Sequence, residues 1–445
     1  MKLWDKGIEI DDSIERFTIG RDPEFDLYLA SYDVVGSIAH ARMLQKIGIL
    51  KEEEGNQLIK GLKKILQKIN DGKFQIDAGV EDVHSQVEMM LTKQLGGIGK
   101  KVHSGRSRND QVLLDLRLFF REEIRQLTQF SVVLGNTLLL QSENFKDFLL
   151  PGYTHFQVAM PSSFGLWFGA YAESLADDLI LLHSAYEIIN QNPLGSAAGY
   201  GTSFPLDRKY TTELLGFKNL NYNVVYAQMG RGKTERVLAY AMAALAATIS
   251  KMAYDVTLFN SQNFGFMKLP DQFTTGSSIM PHKKNPDVFE LIRAKCNRIQ
   301  ALPNDIAMAT NNLPSGYHRD YQVLKELIFP ALFDLKDCLV IAEHVLKTVE
   351  VNDHWLNDPR YQFLFSVEAV NKKVLAGMSF RDAYQEIGKE IEAGEYKDDP
   401  NIKHTHEGSI GNLCNKEIKL KFDDVTARFD FEAYLVALNN LIEKA

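Results

Sequence analysis

Four polar segments that contain glycine interrupt the long apolar stretches of this chain. They are His103–Gln111, Gly152–Gln157, Pro193–Gly199 and Gly276–Pro286. Their histidine, serine, asparagine and basic side chains are the types that transfer protons and bind carboxylates. Each segment alone also has a plain structural explanation, because serine and asparagine cap helices and histidine occurs at helix starts. Four such segments in one chain are harder to explain as turns.

The segment Gly276–Pro286 carries the strongest chemical signal. Asn285 and Pro286 match an N-cap and a first helical position, and apolar residues with helical spacing follow. Lys283 and Lys284, together with two small hydroxyl residues of this segment, therefore lie next to a helix N-terminus. Backbone N–H groups and positive charge at such a place attract an anion. The segment predicts an anionic substrate that carries a carboxylate or a phosphate.

The segment Ala227–Thr234 is a weaker candidate for phosphate binding. It fits a relaxed phosphate-loop pattern that includes Lys233 and precedes a helical stretch. Its first position is alanine rather than glycine, and neither parallel-sheet strands nor a strand ending in a magnesium-binding aspartate accompany it. We interpret the segment as a turn at the start of a helix.

The elements that must position these segments are long helices, because apolar residues recur at intervals of three and four. The predicted helices cover Gln111–Lys146, Pro161–Asn190, Thr234–Asn263, Pro286–Asn312 and Asp320–Val349. We therefore predict an all-α fold with three mainly helical domains around a long central helix bundle. The predicted domains are residues 1–104, a bundle of 105–350, and a small C-terminal unit of 351–445.

Composition limits the classes of function. The chain has 445 residues, and its 50 basic and 58 acidic side chains give a net charge of −8, which disfavours a nucleic-acid partner. Three widely separated cysteines fit neither a disulfide framework nor a zinc site. The apolar stretch Val237–Ala247 is too short to span a membrane, and the N-terminal residues, with Asp5 and Glu9, lack an export signal. We expect a cytoplasmic protein without a membrane partner.

Several segments together resemble a known superfamily. Gly276–Pro286 is similar to the signature loop of the fumarase, aspartase and argininosuccinate lyase superfamily. His103–Val112 and Gly152–His155 resemble the argininosuccinate lyase family in particular, as do Gly36–His40, Phe204–Arg208 and Leu269–Thr275. The resemblance covers nearly the whole chain and implies a fumarase/aspartase-like fold.

Three positions depart from the pattern of that family. His282 stands where argininosuccinate lyases usually have glutamine, and histidine there is more typical of adenylosuccinate lyase. The family's N-terminal substrate-binding serine has no clear counterpart in Phe17–Phe25, which carries a small insertion. The segment Tyr317–Lys325 keeps the spacing of the family's tyrosine, glutamine and lysine but changes the residues between them.

The resemblance implies reversible cleavage of argininosuccinate to arginine and fumarate, in arginine biosynthesis, without a metal or another cofactor. It implies that His155 and Ser277 are the catalytic pair, although which is base and which is acid stays open. The implied substrate-binding residues are Ser107, Arg108, Asn109, Thr154, Lys283, Asn285, Tyr317, Gln322 and Lys325. Two alternatives remain: an adenylosuccinate lyase or other fumarate-releasing lyase, and a noncatalytic crystallin-like protein.

The predicted helix Gln111–Lys146 also bears on assembly. An unbroken helix of that length holds Asn109 and His155 roughly 50 Å apart. One chain then cannot bring both residues to one site, whereas antiparallel packing of the helix from another subunit can. We predict active sites shared between subunits, and the resemblance implies a homotetramer.

Overall fold

A computed structural model describes residues 11–443. The N-terminal segment that was inspected for an export signal, with Asp5 and Glu9, lies outside the described residues. Six helices precede the central bundle in this part of the chain. They are α1 (Asp12–Ile19), α2 (Asp22–Asp26), α3 (Ala30–Lys46), α4 (Glu52–Asn70), α5 (Val83–Leu95) and α6 (Gly97–Lys100).

The central bundle consists of long helices that run alternately in opposite directions, with two short α-helices in one of the connections. Its helices are α7 (Arg108–Asn144), α8 (Phe164–Ile189), α9 (Arg208–Leu214), α10 (Val224–Met229), α11 (Lys233–Phe259), α12 (Asp287–Thr310) and α13 (Val323–Leu346). The five long helices match the five predicted from periodicity. The structure confirms the all-α class.

Short strands occur in the connections between helices. They are β1 (Leu149–Thr154), β2 (Gln157–Ser163), β3 (Gln191–Asn192), β4 (Asn219–Leu220), β5 (Met267–Lys268), β6 (Thr275–Gly276), β7 (Lys284–Asn285) and β8 (Glu350–Val351). Two antiparallel hairpins concern the site: β1 pairs with β2, and β6 pairs with β7. Asn285 therefore belongs to a strand, and Pro286 is the N-cap of α12, one residue later than predicted.

Two apolar cores hold the chain together. The larger one joins α7, α8, α11, α12 and α13, and the other packs α3, α4 and α5 against the first turns of α7. The helix α11 alone, among the residues that the structure describes, is long and apolar enough to cross a membrane. Its apolar side chains are mostly buried between α8 and α12, so it serves as a core helix.

The C-terminal residues form four helices that do not all pack together. They are α14 (Ser366–Leu375), α15 (Phe380–Glu392), α16 (Asn415–Thr426) and α17 (Phe431–Glu443). The first two share a small core of their own, whereas α16 packs on α7 and α8, and α17 packs on α3. The domain limits at 104 and 351 stay predictions.

Gly135 allows a close contact between α7 and α16. A Cβ atom on Gly135 would lie 2.3 Å from Cζ of the Phe422 ring, so this ring packs directly on the backbone of α7 only because a side chain is missing there. Gly135→Ala is expected to cost a net ~1–2 kcal/mol, since overpacking outweighs the better helix propensity of alanine. Thermal unfolding at equal protein concentration measures this loss.

The control for that substitution is Gly388→Ala. Gly388 lies inside α15, and its Cβ would meet no atom within 4 Å. This change is expected to leave the thermal midpoint unchanged or slightly higher. Equal midpoints for Gly135→Ala and the wild type would contradict the packing explanation.

Candidate active site

The start of α7 is fixed by its own side chains. The Ser107 hydroxyl caps the helix and accepts a hydrogen bond from the Asn109 N–H at 3.2 Å. The buried Asp110 carboxylate accepts N–H groups from Ser107, Gly195 and Ala197 at 2.8 to 3.0 Å. Burial raises the pKa of Asp110 to about 6, although these N–H donors oppose the shift. Two of the polar segments, His103–Gln111 and Pro193–Gly199, are thereby joined.

A cavity of about 330 Å³ lies beside this helix start. Five of the predicted binding residues line it: Arg108, Asn109, Tyr317, Gln322 and Lys325. We call it the α7 cavity. Its formation brings together residues that are about 200 positions apart in sequence.

The predicted role of Ser107 and Arg108 as substrate ligands stays a prediction. Ser107 is used as the helix cap, and the Arg108 guanidinium lies 2.9 Å from Glu81 and 3.0 Å from Asp82. Glu81 also contacts Arg319 at 2.9 Å. In this arrangement, Arg108 is neutralised by two carboxylates.

Gln322 and Lys325 anchor the N-terminal segment to the bundle. The Gln322 amide donates to the carbonyls of Thr18 and Ile19 at 3.0 and 2.7 Å. The Lys325 ammonium is buried and lies 2.6 Å from both Asp22 and Asp26. These contacts place α1 and α2 at the wall of the α7 cavity.

Sequence reasoning missed most charged residues of this cavity, among them His84 and its neighbours. His84 Nε2 is 2.9 Å from Asp115, and Asp33 lies 3.9 Å away. Burial alone would lower the pKa of His84, but the hydrogen bond to Asp115 and the nearby carboxylates raise it to about 10. The three surrounding carboxylates, Asp33, Asp82 and Asp115, thus favour the protonated form of His84. Other missed residues in the lining are Asp22, Asp26, Glu81, Asp82, Arg231 and Arg319.

Thr154 and His155 lie at the tip of the β1–β2 hairpin. His155 and Phe156 form its two-residue turn with φ of 54° and 57°. A turn with two left-handed residues usually contains asparagine or glycine, so two bulky side chains here are unfavourable. Thr154 and His155 are exposed in the single chain, and His155 also lines a second cavity of about 670 Å³.

Ser277 lies in the loop between β6 and β7. Its hydroxyl oxygen accepts backbone N–H groups from Ile279 and Met280 at 3.3 and 3.2 Å. Lys284 is bound to Asp271, whereas no carboxylate partner of Lys283 is found within residues 11–443. The loop thus presents Ser277 with two amide donors and one unpaired lysine.

The predicted residues fall at opposite ends of the bundle. The α7 cavity lies where α7 begins and α12 has ended, whereas His155 follows the end of α7 and Asn285 precedes the start of α12. The 24 residues of α12 correspond to roughly 36 Å, and the 37 residues of α7 to roughly 55 Å. We call these ends the cavity end and the hairpin end. One chain brings the cavity group together but does not bring it to His155 or Ser277.

The phosphate-loop candidate is a helix start. Gly232 with a φ of 77° is the N-cap of α11, and Ala227 belongs to the short helix α10. Lys233 Nζ lies 3.2 Å from the Tyr226 hydroxyl. This agrees with the interpretation as a turn.

Comparison with solved structures supports the fold. The chain is similar to EDDS lyase in complex with formate, with a TM-score of 0.76, 22% identity and coverage of 98% of this chain and 95% of that chain. A class II fumarase from Schistosoma mansoni gives a TM-score of 0.73 at 17% identity, covering 92% and 93%. The chain therefore shares the mainly helical fold of these two enzymes.

Sequence comparison narrows this class. A family model described as lyase matches residues 11–301. The chain is 61% identical over 441 residues to the argininosuccinate lyase of Parabacteroides distasonis, covering 99% of each chain. It is 38% identical over 397 residues to that of Thermotoga neapolitana, covering 89% of this chain and 99% of the relative. The chain belongs to the argininosuccinate lyase family.

Proposed function

We propose that this lyase cleaves argininosuccinate reversibly to arginine and fumarate, as a step of arginine biosynthesis in the cytoplasm. The observation that carries the proposal is the 61% identity to an argininosuccinate lyase along 99% of the chain. The cavity group at the start of α7 supports it, because its mixture of acidic and basic side chains suits a substrate that carries both charges.

The reaction removes a proton from a carbon next to a carboxylate and breaks the neighbouring carbon–nitrogen bond. Charge develops on that carboxylate as the proton leaves, so cations and N–H donors must surround it. Lys283, Asn285 and the N-terminus of α12 would provide this surrounding. Lys283 has no carboxylate partner within residues 11–443, whereas Lys284 is bound to Asp271, and this difference supports assigning the role to Lys283.

Ser277 would act as the base and His155 as the acid that protonates the leaving nitrogen. A serine hydroxyl is a weak base unless its alkoxide is stabilised. The N–H groups of Ile279 and Met280 already point at the Ser277 oxygen, which supports this polarity. The electron pair of the C–H bond forms the double bond of fumarate, the C–N bond breaks toward nitrogen, and the proton from His155 lets arginine leave with its guanidinium group protonated.

The remaining residues would bind the substrate. Asn109 and Thr154 would hold carboxylates, and Tyr317, Gln322 and Lys325 would orient the arginine portion. Asn109 and the last three share one cavity, which supports a common task. Positioning of this kind lowers the barrier by fixing the reacting groups before the reaction.

A homotetramer with shared sites would bring the two ends of the bundle together. Large apolar side chains on the outer faces of the long helices support this proposal, because contiguous exposed apolar surface marks an interaction site. Leu140, Tyr240, Leu291 and Met308 are each at least 57% exposed in the single chain. A groove between α7, α12 and α13, of about 670 Å³, is lined mainly by apolar residues of the same surface.

The substrate prediction is tested by fumarate formation, followed by ultraviolet absorbance. Purified protein is expected to release fumarate from argininosuccinate in the presence of a chelator and without added nucleotide. Adenylosuccinate is the matched alternative substrate, because His282 is the residue that favours it. Turnover of adenylosuccinate without turnover of argininosuccinate would overturn the proposal.

A further inference from the structure

Lys325 is shared by two carboxylates at the wall of the α7 cavity. Its ammonium lies 2.6 Å from Oδ1 of Asp22 and 2.6 Å from Oδ1 of Asp26. The side chains of Lys325 and Asp26 are 4% and 2% exposed, whereas that of Asp22 is 21% exposed. One cation and two anions leave an excess negative charge, and Asp22 is the most exposed of the three residues, all of which line the cavity.

The other cationic side chains of the cavity each have a carboxylate partner of their own, and only the charge of Arg231 also acts on Asp22, where it opposes the rise of the pKa. Arg231 lies 2.5 Å from Glu235, and Arg319 lies 2.9 Å from Glu81. Arg108 contacts Glu81 and Asp82, and His84 contacts Asp115. Asp22 therefore has a single direct cationic partner within residues 11–443, Lys325, which it shares with Asp26, and it can accept a further cation from the cavity.

Asp22 has one oxygen available for that cation. Its Oδ1 is bound to Lys325, and no donor to Oδ2 is found in the part of the chain that the structure describes. Asp26 offers no equivalent position, because it is buried and its Oδ2 accepts the Val83 N–H at 3.3 Å. Burial raises the pKa of Asp22 to about 6, with Lys325 opposing the shift, so the carboxylate has lost part of its hydration.

We propose that the free oxygen of Asp22 binds the α-ammonium group of the arginine portion of the substrate. A guanidinium group prefers to contact both oxygens of a carboxylate, whereas an ammonium group needs only one. The neighbours Gln322 and Lys325 are the residues proposed for the arginine portion. This inference rests on the proposed function and makes Asp22 a specificity-determining residue.

The inference has a consequence for the segment where the family pattern was not found. A serine hydroxyl both donates and accepts, so it tolerates an anion or a cation. An ionised aspartate only accepts hydrogen bonds and repels an anion. Because Phe17–Phe25 has no clear counterpart of that serine and carries Asp22 instead, this wall of the α7 cavity favours a cation.

The test compares argininosuccinate with an analogue that lacks only the α-amino group. Wild-type protein is expected to prefer argininosuccinate by at least ~30-fold in kcat/KM, because the analogue leaves Asp22 unpaired. Asp22→Asn should lower kcat/KM for argininosuccinate about 10- to 100-fold. The same substitution should leave kcat/KM for the analogue within about threefold of the wild-type value. The preference for argininosuccinate over the analogue is then largely lost.

Glu24→Gln is the matched control, since Glu24 lies on the same short helix and pairs with the exposed Arg21. It should keep the wild-type preference. If Asp22→Asn lowered kcat/KM equally for argininosuccinate and for the analogue, the inference would be overturned, because Asp22 would then only position Lys325. A wild type that uses both substrates equally would also overturn it, whether or not the variant folds. Failure of the wild type to cleave argininosuccinate would instead overturn the proposed function.

Discussion

Ser277→Ala is expected to lower kcat by at least ~100-fold and to change KM little, because proton transfer takes place in the transition state. The Ser277 oxygen is the position where negative charge would form, and two backbone N–H groups point at it. Alanine keeps the loop backbone but removes the atom that receives the proton. Steady-state kinetics of fumarate release measures both constants.

Ser278→Ala is the control for that experiment. Ser278 is the adjacent hydroxyl of the same loop, and no backbone donor to its side chain is found among the described residues. Its removal should lower kcat only a few-fold. If Ser277→Ala kept more than ~10% of wild-type kcat, Ser277 would not be the base. Any activity that Ser277→Ala abolishes would also exclude a noncatalytic crystallin-like protein.

Much of the fold was predictable because helical periodicity is a local property of the sequence. The five long helices begin and end within four residues of the predicted limits, and the largest difference is at the end of α11, which is Phe259 rather than Asn263. The shift of the α12 start shows what a local pattern misses. Asn285 pairs with Thr275 across the β6–β7 hairpin, and this pairing removes it from the helix.

The charged lining of the α7 cavity was not predictable, because its partners lie far apart in sequence. Lys325 meets Asp26 across 299 positions, and Arg319 meets Glu81 across 238. Single carboxylates on a predicted helix are usually solvated, so nothing local distinguishes Asp22 from Glu24. The separation of Asn109 from His155 within one chain was predictable, by contrast, since it follows from the length of α7 alone.

The second large effect that we expect is recovery of activity when two inactive variants are mixed. It follows from the separation of the cavity end and the hairpin end of the bundle within one chain. Asn109→Asp puts a like charge where a substrate carboxylate is proposed to bind, and an acidic residue suits a helix N-terminus. His155→Asn keeps the left-handed turn, because asparagine tolerates positive φ. The first variant damages only the cavity end, and the second damages only the hairpin end.

The same-end control mixes Asn109→Asp with Lys325→Met. Both residues line the α7 cavity, so every cavity end in such a mixture carries one of the two defects. No recovery is expected from that pair. Recovery there would mean that the two residues serve different sites.

The most direct measurement is therefore the activity of Asn109→Asp and His155→Asn after joint dissociation and reassembly. If each site combines the cavity end of one chain with the hairpin end of another, random mixing in equal amounts should restore about a quarter of wild-type activity. Mass measurement of the assemblies verifies that mixed oligomers have formed. Verified mixed oligomers that stay inactive, while reassembled wild-type protein regains full activity, would contradict a site shared between subunits.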